Sequence, residues 1–344
     1  SDCLLWTKMM SFDMASNWEA ELLRAQMIRE MGPEKAHMFH LNTLPLEGRV
    51  TSSPIDQPVV VDDLLKEYQQ ASQWLNLGLG QHPGSNAWAV SGRLSATGKA
   101  LLSSDPHLAL RIPSIWYPIH LHCPLLNGAE MDIQGVSMPG MIGVLIGRTR
   151  HTAWGCTNSY VDVQDLYLES FELGATPRCV EEVIRVKGQA DEVERVEFGL
   201  RGPMLGVRRL SEDQQSSVGL SLRWTGFEYR KDTSLQGILE LNFANSIAEM
   251  EQAIRGWVTP CLNIAAADDH GDQGNIAYWL AGAVPRRRKG IGLTPVPAND
   301  PDYDWDGYLD FDEKPKVINP ECGFVVSANQ AIVDERFPHL LTLD

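Results

Sequence analysis

The sequence is short of several things, and each shortage excludes a class. No apolar run approaches the ~20 residues needed to cross a bilayer. The six cysteines, Cys3, Cys123, Cys156, Cys179, Cys261 and Cys322, include no CxxC pair, so a thiolate zinc site or a thioredoxin-like motif has no support. Free buried thiols are expected, and the compartment stays open. Basic residues are few: 29 Lys and Arg face 45 Asp and Glu, a net charge of −16, whereas phosphate binding needs a basic surface. Nucleic acid is therefore not an expected partner. The one basic run, Arg286-Arg287-Arg288-Lys289 between Pro285 and Gly290, reads as a solvated loop. There is no internal repeat, no low-complexity tract and no signal peptide. Ser1-Asp2 does not read as a natural start and Leu343-Asp344 ends without a cap. Both ends are expected to be truncations, so the missing targeting signal decides nothing.

What is present suffices for a sizeable core: 344 residues, 43% of them hydrophobic, can hold one large or two ordinary domains. The first ~80 residues read as helical. Ser16-Asn17-Trp18-Glu19 is a capping box, followed by Leu22, Leu23, Met27 and Ile28 and stopped by Gly32-Pro33. A second amphipathic helix is expected over about 62–76, ending in Gly78-Leu79-Gly80. From residue 85 the pattern changes to short segments with Gly and Pro punctuation: NAWAV, KALLSS, WYPIHLH, MDIQGVSM, GVLIGRT, TAWGCTN and DLYLESF. These suit antiparallel strands with tight connections. A capping box at Ser246-Ile247-Ala248-Glu249 opens a helix to about Trp257, and NIAYWLAG and CGFVVSA are later strands. The architecture expected is α+β, an antiparallel double sheet flanked by helices.

The stretch HPGSNAWAVSG, residues 82–92, enters its strand oddly, through Pro83, Gly84 and Ser85, with Trp88 and Val90 sharing one face. A plain turn is one reading. The other is that the Gly84–Ser85 bond is cut, leaving Ser85 as an amino terminus. Such a serine brings its own base, since a free α-amine has a pKa of ~7.7–8.0 and can take the hydroxyl proton while Oγ attacks a carbonyl. An amide nitrogen is no base, so cleavage must come first. Glycine before the serine gives a strained scissile peptide its backbone freedom.

Gly84-Ser85-Asn86-Ala87-Trp88 resembles the maturation site of the penicillin acylase family, N-terminal-nucleophile amidases that include acyl-homoserine-lactone and cephalosporin acylases. The resemblance continues in order along nearly the whole chain. Asp105-Pro106-His107 matches a strand motif, with His107 falling 22 residues after Ser85, where the family has a histidine or glutamine contacting the serine. Ala153-Trp154-Gly155-Cys156-Thr157-Asn158 resembles the Trp-Gly-x-Thr segment, which implies that the backbone N–H of Asn158 helps bind the oxyanion. Ala267-Asp268, Gly274-Asn275-Ile276-Ala277-Tyr278, Gly282 and Pro285 resemble a core strand pair. Pro295-Val296-Pro297 and Tyr303-Asp304-Trp305 match a later loop. Val326-Ser327-Ala328-Asn329 implies that Asn329 is the second oxyanion donor, through its side-chain amide. Leu200-Arg201-Gly202-Pro203 departs from the family, which often has histidine before Gly-Pro, and no mechanism attaches to the change.

The resemblance implies further expectations. Asp162-Val163-Gln164-Asp165 matches a calcium-binding turn, whose two carboxylates and the Gln164 carbonyl are the hard oxygens Ca²⁺ prefers. Asn17 aligns with a further ligand. No redox cofactor is implied. Leu108, Cys156 and Ile264 align with acyl-pocket positions and suit an aliphatic or aromatic acyl group. Residues 1–84 would be the helical end of an α subunit plus linker, and 85–344 the start of a nucleophile-bearing β subunit, the two staying associated. Family members are longer, so the chain looks like a central fragment, and periplasmic or extracellular placement is implied. The substrate would be a small N-acyl amide: a β-lactam side chain, a homoserine-lactone tail or another acylated amine. Two rivals stand beside this reading. One is an uncleaved relative acting as a binding or structural module. The other is an ordinary serine hydrolase with a histidine base, although no G-x-S-x-G elbow frames Ser85.

Overall fold

The structure, a computed structural model, describes residues 2–15, 17–38, 66, 84–108, 110, 112–124, 130–172, 178–209, 216–228, 232–334 and 336–341. The expected helix at 62–76 lies outside them except for Lys66, as do His82 and Pro83 of the stretch HPGSNAWAVSG.

Two facing antiparallel sheets make the body. The larger has seven strands in the order Lys316–Ile318, Asn275–Ala281, Leu262–Asp268, Thr152–Asn158, Ile146–Arg148, Glu130–Ser137 and Tyr117–Pro124. The smaller places Gly84–Val90 between Phe324–Ser327 and Leu101–His107. Small side chains line the seam: Ala87 and Ala89 meet Ala265, Ala267, Ile276 and Val325. The sheets approach so closely that a Cβ added at Gly155 would fall 2.2 Å from the Ser104 Cβ, which no side chain could tolerate. This steric limit is the physical reason for glycine in the Trp-Gly-x-Thr segment.

Strand alternation assigns the faces. Ser85, Ala87 and Ala89 point into the seam, while Asn86 and Trp88 are exposed. The face shared by Trp88 and Val90 is thus the outer one, and the serine is on the buried one.

On its other side the large sheet is covered by helices Ser234–Phe243 and Ile247–Ile254, which bury Ile238, Leu241, Met250 and Ile254 against Ile133, Trp154 and Trp279. The Ser246 cap forms as expected, accepting the Glu249 N–H at 3.2 Å, but the Glu249 carboxylate reaches the N–H of Asn245 and the helix ends at Ile254, short of Trp257. Helix Ser234–Phe243 has no counterpart in the sequence reading. Its Gly237 weakens the helical signal, yet the glycine is needed, since a Cβ there would lie 2.8 Å from the Ala253 carbonyl of the neighbouring helix.

A four-stranded sheet, Met204–Arg209, Ser216–Trp224, Gln164–Glu172 and a parallel Val296–Pro297, receives helix Trp18–Met31 through Trp18, Leu22 and Ala25. That helix stops at Gly32 as expected. Its start corrects the expected capping box: Asn17, not Ser16, is the N-cap, and the Asn17 side chain makes no cap bond because it is drawn to Asp162.

Candidate active site

Ser85 is 7% exposed and begins the central strand of the small sheet after Gly84. Its Oγ donates to the Gly84 carbonyl oxygen at 2.6 Å, so the hydroxyl lies beside the peptide group expected to be cut. The Asn329 carboxamide clasps the same residue: Oδ1 accepts the Ser85 N–H at 3.1 Å and Nδ2 donates to the Ser85 carbonyl at 2.6 Å. This clasp needs a sharp turn after Ser327. Asn329 supplies it with φ +64°, a left-handed backbone that asparagine tolerates better than most residues. The neighbouring Gln330 holds the turn by accepting the Ala328 N–H at 2.6 Å.

His107 lies directly across the ladder from Gly84, with Nδ1 3.6 Å from where a Gly84 Cβ would be. Its Nε2 is 2.7 Å from the Asp105 carboxylate and its side chain is 49% exposed. The structure thus brings His107 beside Gly84, and its hydrogen-bond partner is Asp105 rather than Ser85. Asn158 ends its strand with a buried side chain donating to the Met14 carbonyl at 2.7 Å. That side chain fastens helix Asp2–Ala15 beside the site, a role with no signal in the sequence.

An apolar cavity of about 90 Å³ adjoins Ser85, and Gly84, Ser85, Thr157 and Asn158 form part of its lining. Leu108 and Cys156 are among its lining residues. Ile264 is not. It pairs with Cys156 but is buried in the core under the helices, and Leu262, two residues earlier on the same face, reaches the cavity instead. Met10, Met14, Met138 and Met141 complete a wall of flexible thioethers that can adapt to different apolar shapes. Burial pushes the Cys156 thiol up to about 12, so it remains neutral and is no rival nucleophile. All six cysteines are free, but only Cys261 is fully buried, and Cys179 and Cys322 are exposed.

The acidic turn is built around Arg287, which corrects the solvated reading of the basic run at that residue. Its side chain is 8% exposed, with Nε 2.8 Å from Asp165 Oδ2 and a terminal nitrogen 3.1 Å from Asp162 Oδ1. The Gln164 carbonyl accepts from Arg287 at 3.3 Å, and Asn17 Nδ2 donates to Asp162 at 2.7 Å. Arg286, Arg288 and Lys289 pair with Glu313, Asp306 and Asp300. Among the described residues no three His, Cys, Asp or Glu side chains by themselves enclose a metal. The oxygens nevertheless fit a hard cation. Asp162 Oδ2, Asn17 Oδ1 and Glu21 Oε1 are buried without a hydrogen-bond partner. Asp162 Oδ2 and Asp165 Oδ1 converge beside Gly292, 2.1 and 2.9 Å from where its Cβ would sit. Arg287 pairs with both Asp162 and Asp165, while the third buried carboxylate, Glu21, accepts the Leu166 N–H at 3.2 Å. Burial, reinforced by Asp165 and Asp162, pushes Glu21 well above the usual carboxylate range. Burial, opposed by Arg287 and reinforced by Asp165, pushes Asp162 up to about 7. Glu21 is the acidic neighbour that the sequence reading missed.

Two facing antiparallel sheets, with a serine leading the central strand of the smaller one, define the N-terminal-nucleophile hydrolase fold. The chain belongs to the penicillin amidase family, whose model matches residues 1–344. It is 28% identical to the acyl-homoserine lactone acylase QuiP of Pseudomonas aeruginosa, over 96% of this chain and 41% of that protein. It is 30% identical to a penicillin acylase 2 proenzyme of a Pseudomonas species, over 76% of this chain and 33% of that one. Among solved structures, a thermostable penicillin G acylase from Alcaligenes faecalis superposes with a TM-score of 0.61 at 25% identity, over 75% of this chain and 45% of that one. The chain thus spans about two fifths of the QuiP acylase it matches. No helix among the described residues is long and apolar enough to cross a membrane.

Proposed function

We propose that the protein carrying this chain hydrolyses small N-acyl amides through an acyl-enzyme on Ser85, made competent by self-cleavage at Gly84–Ser85. The observation that carries this reading is the 2.6 Å contact between Ser85 Oγ and the Gly84 carbonyl oxygen, within a buried site clasped by Asn329.

In maturation Oγ attacks the Gly84 carbonyl carbon and the peptide nitrogen leaves as the Ser85 amine. Water then hydrolyses the Gly84 ester. In turnover that amine, directly or through a water, takes the Oγ proton as Oγ attacks the substrate carbonyl. Asn329 Nδ2–H and the Asn158 backbone N–H hold the oxyanion, the departing amine takes the proton, and water releases the acid. His107 flanks the serine. The apolar cavity favours an aliphatic or aromatic acyl group, in keeping with relatives named for acyl-homoserine lactone and penicillin. Because helices Asp2–Ala15 and Trp18–Met31 pack into the body ahead of the cut, the α and β pieces stay together after it. Asp162, Asp165, the Gln164 carbonyl and Asn17 would hold Ca²⁺, which supplies charge balance to the buried turn and takes no part in the reaction.

The uncleaved-module alternative is not favoured, since the relatives carry acylase names. The test is full-length protein assayed with N-phenylacetyl- and N-hexanoyl-4-nitroaniline. Wild type should release nitroaniline, whereas Ser85→Ala should stay uncut and inert. Undiminished turnover by Ser85→Ala would remove the proposal.

A further inference from the structure

Behind the site lies a buried polar knot. Asn263, on strand Leu262–Asp268, donates through Nδ2 to Thr157 Oγ1 at 3.1 Å, to Ser327 Oγ at 3.2 Å and to the Asn158 carbonyl at 3.3 Å. The Thr157 and Ser327 hydroxyls are 2.7 Å apart, and the Tyr278 hydroxyl donates to Asn263 Oδ1 at 2.7 Å. Asn263, Thr157 and Ser327 are each 1% exposed. Burial pushes the Tyr278 phenol above its ordinary range, so it stays a neutral donor.

The knot's position matters more than its strength. Thr157 precedes Asn158, and Ser327 lies two residues before Asn329. Thr157 belongs to the large sheet and Ser327 to the small one, so the knot joins the two sheets one or two residues from each oxyanion donor. Apolar residues would fill the same volume without leaving polar groups to satisfy, as the alanine seam alongside does. A satisfied buried network fixes one relative placement where apolar packing permits sliding. Oxyanion stabilisation depends on such placement, since a misplacement of ~1 Å can cost ~10²-fold. Neither Asn263 nor Tyr278 lines the cavity.

We propose that Asn263, oriented by Tyr278, is a positioning residue that sets the separation of the two oxyanion donors, Asn158 and Asn329. The inference rests on the oxyanion hole proposed above. The test uses matured full-length protein carrying Tyr278→Phe, which keeps the ring, or Asn263→Asp, whose ionised carboxylate has no N–H or O–H to donate. Four readouts are taken on N-phenylacetyl-4-nitroaniline: kcat, KM, and the inhibition constants of benzylboronic acid and of phenylacetic acid. The boronic acid adds to Ser85 Oγ as a tetrahedral adduct and needs the hole, while phenylacetate does not. Expected are a kcat loss of about tenfold or more, a KM within about threefold, and boronate affinity falling in step with kcat while phenylacetate affinity holds. Lower melting temperatures with kcat and boronate affinity unchanged would overturn the proposal, because the knot would then be merely structural. If Asn263→Asp does not fold, Tyr278→Phe decides alone by the same readouts. Asn329→Ala run in parallel separates the failures. If it leaves kcat intact, the hole itself is misassigned. If it costs the rate and the knot variants do not, only the positioning role fails.

Discussion

Asn329→Ala removes the carboxamide that clasps Ser85 on both sides, at 3.1 Å to its N–H and 2.6 Å to its carbonyl. In the proposed turnover the lost group is one oxyanion donor, a change that costs ~10²–10³ in kcat, or ~2.7–4 kcal/mol. A second, separate cost comes from the backbone, since at φ +64° a Cβ without a compensating polar side chain costs ~1–2 kcal/mol of stability. Asn329→Gly separates the two, because glycine adopts that conformation freely while lacking the donor. Both variants should therefore lose kcat equally, with KM little changed, while the alanine variant melts lower than the glycine one. Asn158→Ala is the contrast. It keeps the backbone N–H but loses the 2.7 Å bond to the Met14 carbonyl. It should lose ~0.5–1.5 kcal/mol of stability and stay within about tenfold of wild-type kcat, roughly 1.4 kcal/mol. Steady-state kinetics and melting curves on processed protein supply both numbers. Mild and equal effects on kcat at the two positions, or a severe loss at Asn158 alone, would refute the assignment of the hole.

Three further outcomes are expected. Ca²⁺ at a hundredfold excess over its Kd should add about 2.7 kcal/mol of stability, seen as a higher melting temperature lost to chelator, and Asp162→Asn with Asp165→Asn should erase that dependence; a double variant that matures and melts like wild type would leave the turn without a metal role. The acid limb of kcat/KM should follow the Ser85 amine, activity rising as it deprotonates near pH ~7.7–8.0, and His107→Gln should leave the limb in place; its disappearance would make His107 the base. Gly155→Ala should block maturation or sharply lower the melting temperature, because its Cβ would fall 2.2 Å from the Ser104 Cβ, and adding Ser104→Gly should recover it.

Local signals made most of the fold legible. Gly and Pro punctuation bounded the short strands, and the family resemblance put Ser85 and Asn329 in one site although they are 244 residues apart. What stayed hidden depends on long-range contact. Helix Ser234–Phe243 carries a glycine that only the neighbouring Ala253 carbonyl explains. The cap at Asn17 moved by one residue because Asp162 captures its amide. Arg287 sits in a basic run whose last members, Arg288 and Lys289, are exposed, and only tertiary structure brings it between Asp162 and Asp165. Ile264 has the apolar character expected of an acyl pocket, but one strand's register decides that Leu262 reaches it. Asn263 had no readable signal and Tyr278 only its place in a core strand, since a buried asparagine is recognised only by the partners it satisfies.

The central claim is that a free amine on Ser85 drives the chemistry, and one paired measurement tests it. A single preparation of full-length protein is divided between intact-mass analysis and an N-acyl-4-nitroaniline assay. The account predicts two associated polypeptides, one beginning SNAWAV, with activity rising in step with the fraction cleaved. A preparation that is intact at Gly84–Ser85 and still hydrolyses the amide would contradict it.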